Sequence, residues 1–393
     1  MRYWLIPILT LTLLNPLALV IAEETAITIT DPTQYKENSI IQYYNEIWQA
    51  TDKKVKNGFY RKFIKKTPEG HFVIQDFFAN TNKKQSYPIT IIDSNELTTI
   101  GMKSIDGPLV LWYANGKKSS EKNYNNGKEN GIYNFWYENG ELQATGYFSD
   151  GLLDGKTSVW YKNQQKHATG SFIKGKKDGV WQYWYENGQL SVIENYENGK
   201  AVGDFKKWYK NGQTEITGQF TNGQKQATWQ YWYENGQQAI SETYKNDLLV
   251  GPSKTWYKNG QLESEGNYDN NQETGIWHYW HENGQKAIEA NYQGGHLDGL
   301  SQSWYENGQP ESKGHYIANK QNGVWTFWFD NGQKYAEGVF KDDLTSGVWS
   351  IWGKDGKLRQ EITYEDGKII NRKSYENDSS TKDDITDSPI QQK

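Results

Sequence analysis

A tryptophan recurs every 24 residues along most of this chain of 393 residues, with no slip in register. Most copies read Trp-Tyr-x-Asn-Gly, as at Trp184-Tyr185-Glu186-Asn187-Gly188. A fixed period of this length, kept over eleven copies, is the signature of a repeat protein. The repeat tryptophans are Trp112, Trp136, Trp160, Trp184, Trp208, Trp232, Trp256, Trp280, Trp304, Trp328 and Trp352.

Each copy contains two turn signals. In most copies an Asn-Gly pair follows the repeat tryptophan, and a second turn pair follows an aromatic residue twelve positions after it, as at Asn187-Gly188 and Asn198-Gly199. Asn and Gly both tolerate the positive φ of a type I′ hairpin turn. Each copy therefore predicts one β-hairpin. A lone hairpin is marginal in water, so we expect the copies to be stable only when stacked.

Two further regularities accompany the tryptophan. Glycine stands five residues before it in every copy except one, where Ala227 replaces it. Alternate copies add a ring three residues before it, which creates a second period of 48 residues. That period fails at the end, where Trp325 is followed one copy later by Trp349. The extra rings are Tyr133, Trp181, Trp229, Trp277 and Trp325.

The two sets of rings predict two roles. The repeat tryptophans are expected to form the structural core, because a single-layer sheet must cover its faces with its own side chains. Residues alternate between the faces of a strand, so Trp181 and Tyr183 oppose Trp184. Contiguous exposed aromatics mark binding surfaces, although a second core layer is the alternative. The candidate binding face comprises Tyr133, Trp181, Trp229, Trp277, Trp325, Tyr183, Tyr231 and Tyr279.

The ends of the chain differ from the array. Residues 1–22 combine Arg2, an apolar stretch and Val20-Ile21-Ala22, the pattern of a secretory signal. An uncleaved membrane anchor is the alternative. We expect cleavage, an exported periplasmic or extracellular protein, and no stable membrane insertion.

The remaining divisions follow from where the period begins and ends. Residues 23–106 lack it, and their aromatic and β-branched runs at 59–63 and 72–78 predict a small β-rich module. The array occupies 107–375. Residues 376–393 are polar and acidic, and we expect a disordered tail.

Several kinds of chemistry are excluded or disfavoured. The chain has no cysteine, which excludes disulfides and thiol catalysis. Its net charge of −5, with acidic and basic residues well mixed, gives no basis for nucleic-acid binding. His278 and His281 would point to opposite faces of a strand and could not share a metal. We expect no catalytic set, no metal site and no cofactor.

The unit Gly-x-Trp-x-x-Trp-Tyr-Glu-Asn-Gly-Gln, followed by an aromatic and Asn-Gly-Lys, resembles the MORN repeat variant of the bacterial YwqK-type antitoxin family. The first module is similar to that family through Tyr43-Tyr44, Trp48, Tyr60-Arg61 and Gln75-Asp76-Phe77-Phe78. The resemblance covers roughly residues 107–375. It implies an all-β, elongated, single-layer antiparallel hairpin array, and a role in neutralising a toxin.

The leading functional hypothesis is an exported, non-catalytic scaffold that binds a protein, with a toxin as the partner in its antitoxin-like or immunity form. The alternative is a glycan, peptidoglycan or polysaccharide, stacked on the periodic aromatic face. Phospholipid contact is disfavoured because the array has no basic face. Nearest-neighbour contacts predict that removal of one whole 24-residue copy leaves a folded chain.

Overall fold

The computed structural model describes Asp31 and residues 34–375. The predicted signal segment 1–22 and the predicted tail 376–393 lie outside the described residues. Within the described part, no helix is long and apolar enough to cross a membrane. A turn of 3-10 helix at Ser94–Glu96 is capped by the Asp93 side chain.

The chain folds as antiparallel β-strands in two compact units, and the predicted hairpin array is confirmed. Among the described residues, the first unit comprises those up to Gln164 together with Phe172–Gly175, and the second comprises Gln165–Ser171 and the residues from Lys176 to Tyr375. The strands up to the third repeat tryptophan are β1 (Ile40–Tyr44), β2 (Ala50–Thr51), β3 (Phe59–Lys66), β4 (Phe72–Phe78), β5 (Ile89–Ile91), β6 (Ile105–Trp112), β7 (Lys118–Asn125), β8 (Lys128–Glu129), β9 (Gly131–Trp136), β10 (Leu142–Ser149), β11 (Leu152–Leu153) and β12 (Gly155–Trp160). The later strands are β13 (Lys166–Ile173), β14 (Lys176–Trp184), β15 (Leu190–Glu197), β16 (Lys200–Trp208), β17 (Thr214–Thr221), β18 (Gln224–Trp232), β19 (Gln238–Lys245), β20 (Leu248–Trp256), β21 (Leu262–Asp269), β22 (Gln272–Trp280), β23 (Lys286–Gln293), β24 (His296–Trp304), β25 (Pro310–Ile317), β26 (Lys320–Trp328), β27 (Lys334–Lys341), β28 (Leu344–Trp352), β29 (Leu358–Glu365) and β30 (Lys368–Ser374).

The β-rich module of the first unit has an aliphatic and aromatic core of its own. The two runs predicted as strands form β3 and β4, which pair antiparallel. Side chains from β3 to β6 pack into one cluster, each contributing about 1.5–3 kcal/mol when fully buried. The cluster comprises Phe63, Phe72, Ile74, Ile89, Ile91, Leu97 and Ile105.

A buried ion pair joins β3 to β4 beside this core. Arg61 and Asp76 are almost fully buried, with Nε–Oδ1 at 2.7 Å and Nη2–Oδ2 at 2.9 Å. Arg61 Nη1 also donates to the carbonyls of Leu97 and Thr99, at 3.1 and 2.8 Å. Burial disfavours the charged guanidinium, but the Asp76 carboxylate outweighs this and raises the pKa of Arg61. The Arg61 guanidinium therefore stays charged.

The regular position of glycine, five residues before the repeat tryptophan, reflects a β-bulge. Lys206 pairs with Ile193, whereas Val202 pairs with Asn195, so β16 contains two more residues than β15 over this stretch. Gly203 lies inside this bulge with a φ of 67°. Glycine adopts this backbone without strain. Ala227 occupies the matching place in β18 and keeps a φ of 58°.

The two turns of each copy have different geometries. At the second turn, Asn198 and Gly199 both have positive φ, as predicted for type I′. At the first turn only Gly188 does, so the type I′ prediction is wrong there. Gly188 N–H donates to Tyr185 O at 2.9 Å, which fits a longer loop ending in a left-handed glycine. Asn187 contributes to this turn through its side chain, whose Oδ1 accepts a hydrogen bond from the backbone N–H of Gln189.

The Trp-Tyr-x-Asn-Gly motif also links neighbouring copies within each unit. Tyr185 Oη donates to the carbonyl of Trp208 at 2.6 Å, and Asn187 Nδ2 donates to the carbonyl of Lys210 at 3.2 Å. Where the tyrosine is replaced, His281 Nε2 lies 2.7 Å from the carbonyl of Trp304 and takes over the contact. The same tyrosine bond recurs at Tyr113, Tyr137, Tyr209, Tyr233, Tyr257 and Tyr305.

Candidate binding faces

The strands of the second unit have two faces of different character. Along β14, Trp181 and Tyr183 lie on one face, whereas Val180 and Trp184 lie on the other. We name the first the inner face, because its rings are buried, and the second the outer face.

The extra rings are buried on the inner face. Trp181 and Trp229 have no exposed surface, and Trp277 is only 4 % exposed. The expectation that these rings are exposed is therefore wrong. Its remaining members are also covered: Tyr133, Tyr183 and Trp325 are buried, and Tyr231 and Tyr279 are half-buried.

Glycine on the preceding strand explains this burial. A Cβ atom on Gly218 would lie 2.2 Å from Cδ2 of Trp229, so the indole occupies the space that a side chain would need. A ring of this size buries 150–250 Å², roughly. Sequence reasoning missed these glycines, although each stands eleven residues before an inner-face tryptophan. The same contact joins Gly170 to Trp181, Gly266 to Trp277, Gly314 to Trp325, and Gly338 to Trp349.

A lysine of the chain lies inside an aromatic box on the inner face. Lys177 Nζ is 4.6 Å from the ring centre of Trp181, 5.3 Å from that of Tyr183 and 4.7 Å from that of Tyr196. It donates to Tyr183 Oη at 2.6 Å and lies 3.6 Å from Glu194 Oε1. Burial lowers the pKa of Lys177, and Glu194 only partly offsets this. Aromatic faces and a carboxylate together form a site for an organic cation.

The next pair of copies repeats this box. Lys225 Nζ lies 4.4, 5.6 and 4.6 Å from the ring centres of Trp229, Tyr231 and Tyr244. It donates to Tyr231 Oη at 2.9 Å, and Tyr244 Oη donates to Glu242 at 2.7 Å. Burial again lowers the pKa of the lysine. In both boxes, the bound cation is a lysine of the chain itself.

The repeat tryptophans lie half-buried, and none of the eleven is fully enclosed. Only part of each of these rings is therefore buried in the core. Some rings are covered by a lysine of the preceding copy, as where Lys286 Nζ lies 5.3 Å from the ring centre of Trp304. The tryptophans of β14 to β28 consequently leave part of the outer face aromatic.

Nine segments of the chain match the MORN repeat variant, at residues 105–126, 129–150, 177–198, 225–246, 249–270, 273–293, 297–318, 321–342 and 346–366. The array is built of MORN repeats of this variant. The Trp160 and Trp208 copies lie outside the matches, yet β16, which ends at Trp208, pairs with β17 in the register of its matched neighbours. A comparison with curated proteins finds no match.

The last four MORN copies have an apolar residue on the outer face, four positions before each repeat tryptophan, and three of these four residues are exposed. Ile276, Val324 and Val348 are 48 %, 58 % and 54 % exposed, and Leu300 between them is half-buried. Val339 pairs with Val324 across the strands and is also exposed. We name these five residues the apolar row. Since alternate strands lie about 10 Å apart, the row extends over roughly 30 Å.

A shallow depression of about 340 Å³ adjoins the apolar row, lined by residues that include His315, Asn322 and Gly323. The same face holds His278 between two carboxylates, with Nε2 3.3 Å from Glu289 and Nδ1 3.9 Å from Glu265. The described residues contain no cluster of three potential metal ligands among their His, Asp and Glu side chains. The outer face of these MORN copies therefore offers apolar and polar contact surface.

Proposed function

We propose that this chain is a non-catalytic scaffold that binds another protein through the apolar row. MORN repeats generally mediate binding to proteins or membranes. The observation that carries the proposal is the exposure of Ile276, Val324 and Val348 on continuously paired strands. Strands held in a hydrogen-bonded ladder bind a partner with little loss of conformational entropy.

The fold itself does not require apolar residues at this position. Asp204 and Thr228 stand there in earlier copies, in strands of the same register. Ile132 and Val180 are also exposed at this position, but only from Ile276 onward does every successive copy have an apolar residue there. An exposed apolar patch with a polar rim is typical of a protein contact. The half-exposed repeat tryptophans beside the row favour the same interpretation.

Two other ligand classes have less support. Glycan stacking depended on exposed rings at Trp181, Trp229, Trp277 and Trp325, and these rings are buried. Membrane binding is favoured by a cluster of basic side chains. The apolar row has instead mixed charges beside it, where Glu265 pairs with Lys254 and Glu289 pairs with Lys286.

Charge substitution in the apolar row tests the proposal. The variant combining Ile276→Asp, Val324→Asp and Val348→Asp should fold, because aspartate is native at the matching position 204. The measurement is quantitative mass spectrometry after crosslinking and capture of the tagged chain from envelope extract. Thr228→Asp, outside the row, is the matched control. A partner lost in the triple variant and kept in the control supports the proposal; equal capture by both contradicts it.

The narrower proposal is an antitoxin-like or immunity role after export to the periplasm or cell surface. It rests on the resemblance to the YwqK-type family and on the signal pattern of residues 1–22. Co-expression of the captured partner with and without this chain tests it by cell growth. Growth inhibition relieved by the chain supports neutralisation, and absence of inhibition leaves the scaffold role alone. The N-terminal sequence of the mature protein tests export.

A further inference from the structure

The third inner-face box of the second unit keeps its rings but loses its lysine. Trp277, Tyr279 and Tyr292 stand 48 residues after the rings around Lys225. At the place of that lysine the chain has Glu273, and at the place of Glu242 it has Ala290. The third box thus has a glutamate where the other two have a lysine, and an alanine where the other two have a glutamate.

The ring geometry is unchanged by these replacements. Trp277 and Tyr279 lie 6.0 Å apart at 24°, and Trp277 and Tyr292 lie 6.3 Å apart at 71°. The corresponding values around Lys225 are 6.4 Å at 31° and 6.4 Å at 78°. In place of bonds to a lysine, the hydroxyls of Tyr279 and Tyr292 face each other at 3.5 Å.

Electrostatics of this box favour a positive ligand. Glu273 pairs across the strands with Tyr268, and within the described part of the chain no cation forms an ion pair with it. Glu273, Tyr279 and Tyr292 are half-buried and remain accessible from solvent, whereas Trp277, at 4 % exposed, forms the floor of the box. A carboxylate beside three aromatic faces matches the arrangement that recognises ammonium groups.

We propose that Trp277, Tyr279 and Tyr292, with Glu273 at the rim, bind an alkylammonium group from outside the chain. The ligand takes the place that Lys225 Nζ holds in the sister box. It is either a lysine side chain of a protein or a free amine. The site lies on the inner face and is independent of the protein contact proposed for the outer face.

Indole N–H resonances of the full chain labelled with nitrogen-15 tryptophan test this site. The Trp277 resonance is assigned by its loss in Trp277→Phe, since phenylalanine is native at the matching position 205. We expect it to move saturably with n-butylammonium, and to stay in place with sodium chloride of equal ionic strength. The Trp229 resonance is an internal reference and should not move, because Lys225 already fills its box.

Rebuilding the sister sequence provides the decisive control. The double variant Glu273→Lys, Ala290→Glu places a lysine and a carboxylate where the other two boxes have them, so it should fold and lose the response. Glu273→Gln should weaken n-butylammonium binding roughly tenfold, because it removes a charge-assisted contact. A Trp277 resonance that does not move, or that moves equally in the double variant, overturns the proposal.

A second titration distinguishes a lysine side chain of a protein from a free amine as the source of the ammonium group. A short peptide with one lysine is compared with the same peptide containing norleucine and with n-butylammonium. Tighter binding of the lysine peptide than of n-butylammonium identifies a protein side chain as the ligand. Equal binding of the two identifies a free amine.

Discussion

A Cβ atom on Gly266 would lie 2.1 Å from Cδ2 of Trp277, because the indole rests directly on the backbone of the neighbouring strand. Ala290 occupies the matching position one copy later, where the following copy has Ser301 in place of a tryptophan. Each inner-face tryptophan of the second unit is therefore paired with a glycine on the preceding strand. From Gly170 and Trp181 to Gly314 and Trp325 these pairs recur every 48 residues, which is the second period seen in the sequence.

Gly266→Ala should destabilise the second unit by about 3 kcal/mol, since the methyl group overpacks the junction. Trp277→Ser alone should cost about 3–5 kcal/mol through the cavity that it leaves. The double variant should be no less stable than Trp277→Ser, because Ala290 and Ser301 already form such a junction. Urea unfolding, with hydrogen exchange to localise the change, measures all three. Additive losses in the double variant would contradict the contact.

Ala227→Gly should stabilise the chain by about 0.5–1 kcal/mol. Ala227 has a φ of 58°, a backbone conformation that is strained for alanine and unstrained for glycine. The greater conformational entropy of glycine in the unfolded chain offsets part of this gain. The matched reverse change is Gly251→Ala, where φ is 67° and a Cβ would meet no atom within 4 Å. It should destabilise by a similar amount in the same urea assay. Two changes of the same sign would rule out this backbone explanation.

The fold was predictable from the sequence because its signals are local and repeated eleven times. The turn pairs, the alternation along strands and the tryptophan period each specify a hairpin. The assignment of faces was not predictable in the same way. Trp181 and Trp184 have equal chemistry, and only the contact of Trp181 with Gly170 on the preceding strand decides which ring is buried. The Gly-to-Trp interval of eleven residues was the available signal.

Asp76→Asn should destabilise the β-rich module by about 3–5 kcal/mol, because it leaves Arg61 charged, buried and without its counter-ion. Asp150→Asn is the control in the same unit. Its pair with Lys128, at 3.5 Å, is largely exposed, so the expected change is under about 1 kcal/mol. Hydrogen exchange in β3 and β4 reports the difference. Similar effects of the two variants would show that the buried pair is not needed for stability.

Alkaline pH should destabilise the array through its inner-face tyrosines. Burial, reinforced by Glu273 and Glu242, raises the pKa of Tyr268 to about 12, and burial also raises that of Tyr244 and Tyr279. An unfolded tyrosine titrates near about pH 10. The stabilising contribution is therefore complete below that pH and is lost as the pH rises through the folded pKa values. Urea midpoints and tyrosinate absorbance, followed together, measure this. A midpoint constant from pH 9 to 12 (roughly the interval between the two states) would contradict it.

Deletions separate the 24-residue unit from the 48-residue unit. Removal of residues 224–271 joins two equivalent turns and places Trp277 against Gly218, so the junction is preserved. Removal of residues 248–271 also preserves the turns, but it places Trp277 against Glu242. In the 24-residue deletion, the buried Trp277 indole would therefore meet a larger, charged side chain, so the expectation that any single copy can be removed does not hold for this one.

Thermal unfolding and hydrogen exchange should show that the 48-residue deletion is nearly as stable as the parent chain and that the 24-residue deletion is clearly less stable. Adding Glu242→Gly to the shorter deletion should restore its stability, since it recreates the glycine that Trp277 requires; failure of this rescue would mean that the junction does not depend on the glycine.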